Sequence, residues 1–276
     1  MITMKESIQK TTERFTPDNF GSKEEYLLYL RHLFAYGFAK DTIPKNSIVL
    51  EVGSGEGYGT KFLSEYVEKI VGLDVDESTV VSAQKKYGSE NCVFTLYDGL
   101  RIPFEDNRFD AIISFQVIEH IKDDKNFVIE IYRVLKNNGI FILTTPNRTL
   151  RLKPGQRPWN RFHVREYDPN ELELVLKSKF SDVKIFGIFG NDEVQRIEIE
   201  RVKRSLRITS FDPLDFRKLI PEPVKQKILH ILGEFKSTKR GIKSERDFLD
   251  RYSLKDYFIL ETNVMDSLDL LVALKK

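Results

Sequence analysis

The stretch IVLEVGSGEGYG, residues 48–59, decides the fold: an apolar run ends on Glu51 and opens into glycines at every second position, Gly53, Gly55, Gly57 and Gly59. Each glycine costs conformational entropy that another residue would not, so a cluster of four implies a backbone turn with a special task. Further β-branched runs follow, KIVGLDV, CVFTL, FDAIISFQ and GIFILTT, separated by amphipathic segments at 58–67, 78–87 and 123–136. The last of these, DDKNFVIEIYRVLK, is expected to stop at Asn137-Asn138-Gly139. Strands and helices in alternation imply a parallel sheet, and strands covered on both faces should lack a polar alternation, as these do. The fold class is α/β, doubly wound and Rossmann-like.

In such a sheet a ligand sits beyond the carboxyl ends of the strands, and the first strand-to-helix turn comes nearest to it. The glycines there remove Cβ atoms that would block a close approach. The dinucleotide fingerprint G-x-G-x-x-G would require glycine at position 58, where this chain has Tyr58; the spacing is E-x-G-x-G-x-G. Asp74 ends the second strand seventeen residues after Gly57, placed to accept hydrogen bonds from both hydroxyls of a ribose. Asp98, followed by Gly99, adds a polar group at the same edge, although an aspartate in LYDGL is also an ordinary turn residue.

Composition bounds the rest. A chain of 276 residues, 41% of them hydrophobic, can bury a full core. The N-terminal MITMKESIQKTTERF lacks the apolar centre of a secretion signal and no run has the apolar length to cross a bilayer, so a cytoplasmic location is the expectation. With 44 basic and 42 acidic residues, the net charge of +2 exerts no global pull toward nucleic acid. The single cysteine, Cys92, sits in an apolar run and reads as a buried strand residue.

Taken together, EVGSGEGYG, VGLDVD, YDGLRIPFEDNRFDAIISFQVIEHI and YRVLKNNGIFILTTPN resemble the class I S-adenosylmethionine-dependent methyltransferases of the type 11 branch. WNRFHVREYDPNEL, with the N-terminal ERFTPDNF and LRHLFAYGFA, resembles bacterial and archaeal members associated with surface-glycan genes. The resemblance implies a seven-stranded sheet whose last strand is antiparallel. It also implies that Glu51, Gly53, Gly55 and Gly57 hold the methionine and ribose portions of S-adenosylmethionine, Asp74 the ribose hydroxyls, and Asp98 with Gly99 the adenine. Phe115 and Gln116 would lie beside the methionine moiety, and Leu100 or Ile102 would pack on the adenine.

The sixth strand is expected in DVKIFGIFG and its antiparallel partner only at the C-terminus, in SLDLLVALKK. Four segments follow: an N-terminal helical cap at 1–47, the cofactor-binding core at 48–190, a helical insertion at 191–258 and a final strand segment at 259–276. The insertion contains EVQRIEIERVKRSLRI and PVKQKILHILGEF, both amphipathic at helical spacing. Between Arg196 and Arg207 five basic residues stand against two acids, which reads as a solvated face or as a surface for an anionic acceptor, a membrane or RNA.

A sulfonium carries an already activated methyl group, so the protein has to position the acceptor and, where required, remove a proton. His120 in QVIEHI and His163 in NRFHVREY both fall at the catalytic edge of such a sheet, whereas His32 and His230 sit in predicted helices without that placement. Gln116-x-x-Glu119-His120 resembles the E-x-x-E-H of ubiquinone-pathway and small-RNA methyltransferases, in which a divalent metal is bound. Here Gln116 replaces a carboxylate, which weakens a hard-cation site formed by Glu119, His120 and His163. The leading reading is methyl transfer to a hydroxyl or amino group of a sugar, glycan or related metabolite. A metal-assisted RNA 2'-O-methyltransferase and a cofactor-binding protein without catalysis are the alternatives, and oligomeric state is left open.

Overall fold

The computed structural model describes residues 20–160, 162–210 and 247–276. In chain order these form α1 (Lys23–Thr42), β1 (Ile48–Val52), α2 (Tyr58–Ser64), β2 (Lys69–Asp74), α3 (Glu77–Tyr87), β3 (Cys92–Leu96) and β4 (Phe109–Phe115). There follow α4 (Asp124–Val134), β5 (Leu135–Pro146), α5 (Arg148–Arg151), α6 (Pro169–Leu176), β6 (Ile185–Gly190), α7 (Asp192–Ser210), α8 (Phe248–Arg251), β7 (Tyr257–Leu260) and β8 (Asp269–Lys275). The expected ERFTPDNF segment, apart from Phe20, and the helix expected in PVKQKILHILGEF with its His230 lie outside the described residues.

One sheet runs through the molecule in the order β3-β2-β1-β4-β5-β8-β6-β7. The pairs among β1 to β5 are parallel, while β8 is antiparallel to both β5 and β6. The chain leaves β1 in one direction toward β2 and returns to its other side as β4, so the switch point and its crevice lie between β1 and β4. The doubly wound expectation therefore holds, with one correction to the strand count. An eighth strand, β7, pairs antiparallel with β6 at the edge of the sheet, and its Phe258 stacks on Phe189 with ring centroids 5.8 Å apart. It is only four residues long and straddles the boundary expected at 258/259, and such a segment gives no periodic signal.

Alternate residues of the central strands explain the lack of polar alternation. Leu50 and Val52 of β1 pack with Phe127, Val128 and Ile131 of α4 and Leu172 and Leu176 of α6, while Val49 packs on the opposite face with Ala35 and Ala39 of α1 and Leu63 of α2. Each fully buried Leu or Ile contributes about 1.5–3 kcal/mol, so both faces must stay apolar. Cys92 is fully buried in the second of these clusters. Side-chain caps start the helices: Ser22 for α1, Asp76 for α3, Asp123 for α4, and Asp168 with Glu171 in a capping box for α6. The expected stop of α4 shifts: the helix ends at Val134, and Leu135 to Asn138 already belong to β5. The cause is fully buried Leu135, which pairs with Phe109 across an irregular register while Asn138 absorbs the kink at φ 62°.

The β1–α2 junction is built around a buried acid. Glu51 is 1% exposed and accepts hydrogen bonds from Tyr36 of α1 and Thr60 of α2, each at 2.5 Å. Tyr36 reaches it across Gly59, where an added Cβ would stand 1.9 Å from the ring. Gly59→Ala is expected to cost about 1–3 kcal/mol in urea denaturation through overpacking, and less in a Tyr36→Leu background; an equal cost in both would refute this cause.

Burial raises the Glu51 carboxyl to about 7 from 4.5, with the nearby Asp74 charge adding to the rise and the Thr60 and Tyr36 hydrogen bonds opposing it. A folded-state value above the unfolded one means that the folded chain holds the proton longer. The associated stability is complete below about pH 4.5 and is lost as pH rises through about 7, by about 3 kcal/mol in total. Glu51→Gln should flatten this decline in denaturation curves between pH 5 and 8. A slope unchanged by the substitution would contradict the assignment.

Candidate functional site

At the carboxyl ends of β1, β2, β4 and β5 a cavity of about 520 Å³ opens, floored by the turn after β1 and walled by α1, the loop after β5 and α7. Gly53 adopts φ 83°, and an added Cβ there would stand 2.3 Å from Val117, so only glycine lets the turn pack on the segment after β4. Gly55 behaves differently: a Cβ there would meet no protein atom within 4 Å, because the residue faces the cavity. This open cradle is what close approach of a ligand to the backbone requires. Gly57 and Gly59 serve packing instead, against Phe94 with Ala83 and against Tyr36.

Asp74 lies in the cavity wall. Its Oδ2 accepts from the Gly55 amide and its Oδ1 from the Asp76 amide, both at 2.9 Å, so the carboxylate is fixed in orientation while keeping acceptor capacity for a ribose. Phe115 and Gln116 also line the cavity. Gln116 holds φ 57° and donates its amide to Thr144 and Asp269, so its side chain is committed to the β5–β8 side.

Several expected residues are not brought to the wall. Both oxygens of Glu51 are taken by Tyr36 and Thr60, and it is Tyr36 that lines the cavity. Asp98 and Gly99 fall outside the lining: Asp98 Oδ1 closes its own turn through the Leu100 and Arg101 amides, and these bonds, Arg101 first, hold its carboxyl below the ordinary value. Tyr97 occupies the corresponding part of the wall. Leu100 is exposed and Ile102 is buried in the core beneath α4, so neither packs on the cavity. His32, expected to have no such placement, does line it, because one face of α1 leans over the turn.

Glu119, His120 and His163 converge. One ligand atom from each lies within 4.8 Å of the others, and the two imidazole rings meet edge to face with centroids 4.8 Å apart. His120 Nδ1 donates to the Phe162 carbonyl at 3.0 Å, which makes Nε2 the acceptor nitrogen. Glu119 accepts from Thr145 at 2.9 Å, while its carbonyl receives the Val164 and Arg165 amides and so ties the 158–167 loop to the turn after β4. The same loop is anchored farther out by Arg165 and Tyr167, both donating to Asp124 Oδ2.

His163 Nδ1 lies 2.7 Å from Glu166 Oε1, and Arg151 clamps the same carboxylate through Nε and Nη2 at 2.9 and 3.1 Å. Burial raises the Glu166 carboxyl, but the charge of Arg151 and the hydrogen bonds from His163 and Arg151 outweigh it and hold the group below its usual range. An ionised Glu166 can only accept, so His163 donates from Nδ1. Glu166 appeared in the sequence only as part of a polar loop, and its pairing with Arg151, fifteen residues earlier, had no local signal.

Comparison with known proteins places these features in a family. The type 11 methyltransferase domain matches residues 50–143. A probable S-adenosylmethionine-dependent methyltransferase of Mycolicibacterium smegmatis is 36% identical over 182 residues, 65% of this chain and 68% of that protein. A second, from Mycobacterium tuberculosis, is 34% identical over 195 residues, covering 68% of this chain and 67% of its own. In fold alone, the structure of a possible histamine N-methyltransferase from Thermotoga maritima is similar with a TM-score of 0.55 at 13% identity, covering 91% of this chain and 92% of that one. An open glycine turn, a fixed carboxylate at the end of β2 and these relatives agree: the chain belongs to the class I S-adenosylmethionine-dependent methyltransferases of the type 11 branch and is an enzyme that converts S-adenosylmethionine to S-adenosylhomocysteine.

Proposed function

We propose that this enzyme methylates a hydroxyl or amino group of a sugar, a glycan or a related small metabolite, with His163 as general base and an oxygen nucleophile favoured. The observation that carries the reading is the buried Arg151–Glu166–His163 chain, whose Arg151 and His163 line the cavity. A carboxylate on Nδ1 raises the basicity of Nε2 and stabilises the imidazolium formed when a hydroxyl gives up its proton. An amine acceptor has less need of that help. A ubiquinone biosynthesis O-methyltransferase of Pelagibacter ubique, 28% identical over 165 residues, is among the relatives and supports methylation on oxygen.

When bound, S-adenosylmethionine supplies a methyl group already activated by the sulfonium. The chain's own residues then divide the work. Asp74 would accept the ribose hydroxyls, and Gly53 and Gly55 would let the methionine portion rest on the backbone. His163 Nε2 would receive the acceptor proton as the new oxygen–carbon bond forms and the carbon–sulfur bond breaks. Arg151 keeps Glu166 ionised throughout. α1 and α7 would form the cap over the acceptor, a role supported by Tyr36, His32 and Arg201 in the wall.

Two substitutions separate these roles. Asp74→Ala should weaken S-adenosylhomocysteine binding in calorimetry by about 1.5–3 kcal/mol, as expected for lost hydrogen bonds to a charged acceptor. His163→Ala should leave that affinity nearly unchanged and lower turnover about 10²–10⁴-fold on a responsive sugar acceptor. Equal loss of binding and turnover would make His163 structural. A panel of methyl glycosides and sugar nucleotides that releases no S-adenosylhomocysteine would remove the sugar reading.

A second reading, a metal-assisted RNA 2'-O-methyltransferase, is favoured by the Glu119, His120 and His163 cluster, in which one ligand atom from each lies within 4.8 Å of the others. The commitment of Gln116 to Thr144 and Asp269 leaves three ligands for it. The two readings oppose each other, because a metal on His163 Nε2 would block its use as a base. Mn²⁺ should therefore inhibit in the first case and, after EDTA treatment, restore activity in the second.

A further inference from the structure

The charged residues of the cavity wall are segregated. Glu56, Asp74, Asp76 and Glu77 lie at the end formed by the turns after β1 and β2. Arg31, Arg151 and Arg201 lie at the other, contributed by α1, α5 and α7. Their carboxylate partners, Glu166, Glu198 and Asp269, all stand behind them and do not line the cavity.

This arrangement holds the guanidinium groups without consuming them. Arg151 binds Glu166 through Nε and Nη2, and Arg201 binds Glu198 through Nε and Nη2, so each uses one edge of its fork. Glu198 Oε2 is shared between Arg31 and Arg201, which brings two like charges onto one oxygen. Arg151 also lies over the ring of Trp159, 4.5 Å from its centroid, which fixes the guanidinium plane. The indole Nε1 of Trp159 is buried and has no hydrogen-bond partner among the described residues. Guanidinium forks supply donors and no acceptor, and the matching ligand is an oxyanion with acceptor oxygens only.

We propose that the acceptor carries a carboxylate or phosphate group, bound at this end of the cavity by Arg201 and Arg151 beside the Trp159 ring. The inference rests on the reading of this end as the acceptor subsite, and it restricts the acceptor to the anionic members of the class. The cofactor's own carboxylate is the competing source of the same chemistry.

Trp159 is the single tryptophan of the chain, so its fluorescence reports this site directly. Protein saturated with S-adenosylhomocysteine is titrated with inorganic phosphate, glucose 6-phosphate and glucose at constant ionic strength. Phosphate and glucose 6-phosphate should give saturable changes, with glucose 6-phosphate at least about tenfold tighter than glucose. Arg201→Gln should weaken both anions by about ten- to a hundredfold, as expected for a lost charge-assisted hydrogen bond, and leave S-adenosylhomocysteine affinity within about twofold. Unsaturable anion responses, or equal affinity for glucose and its phosphate, would overturn the proposal in the wild-type protein alone, whatever the variant's folding. An Arg201→Gln protein that keeps wild-type anion affinity would overturn it too. Loss of S-adenosylhomocysteine affinity in step with anion affinity would assign the cluster to the cofactor and equally overturn it. Saturable anion binding combined with no methylation of any sugar would uphold the anion subsite and remove the sugar reading alone.

Discussion

A carboxylate buried at the end of the first strand sets the geometry on which the rest of this molecule depends. Glu51 cannot be left without donors at 1% exposure, and its donors come from two different helices. Thr60 fastens the start of α2 and Tyr36 fastens α1, so one acid draws three elements around the glycine turn. Gly59 makes room for the Tyr36 ring, and Tyr36 in turn becomes part of the cavity wall. The alternating glycines therefore divide into two kinds, with Gly55 open to the cavity and Gly57 and Gly59 spent on close packing.

A second set of buried charges shapes the opposite end. Arg151, Glu166 and His163 form a chain in which each member fixes the next, and Arg31, Glu198, Asp269 and Arg201 form another that ties α1 to α7 and β8. Buried ion pairs add little net stability, because desolvation offsets most of the attraction, but removing one partner is expensive. Their value here is positional. Burial raises the Asp269 carboxyl despite the neighbouring Arg31, Arg151 and Arg201 charges, whereas Glu198, held between two guanidinium groups, is kept below its usual range against the same penalty.

How much could be read beforehand follows the range of the interactions. The strands from β1 to β5, the helices between them, the glycine turn and Asp74 are local patterns or fixed spacings, and all were legible. The neighbourhood of His120 and His163 was legible too, because both follow strand ends. The roles of Arg31, Tyr36 and Asp269 were not, since an arginine, a tyrosine and an aspartate in amphipathic or apolar runs look like any others. Asp98 stands after β3 as expected, and its Oδ1 closes its own turn, as an aspartate in LYDGL can.

The sequence by itself determined the doubly wound sheet, the cofactor turn and the family, because hydrophobic periodicity and glycine spacing are properties of neighbouring residues. Tertiary structure alone decided which charges meet. Arg31 with Glu198 and Asp269, Arg151 with Glu166, and the edge strand β7 against β6 each join residues whose pairing depends on where the sheet and the α7 segment bring them. A carboxylate's partner is chosen by distance and burial, and neither is encoded in the residue's immediate neighbours. That is why the glycine turn and the family could be read from the sequence, while the pairing of the buried charges emerges only from the folded chain.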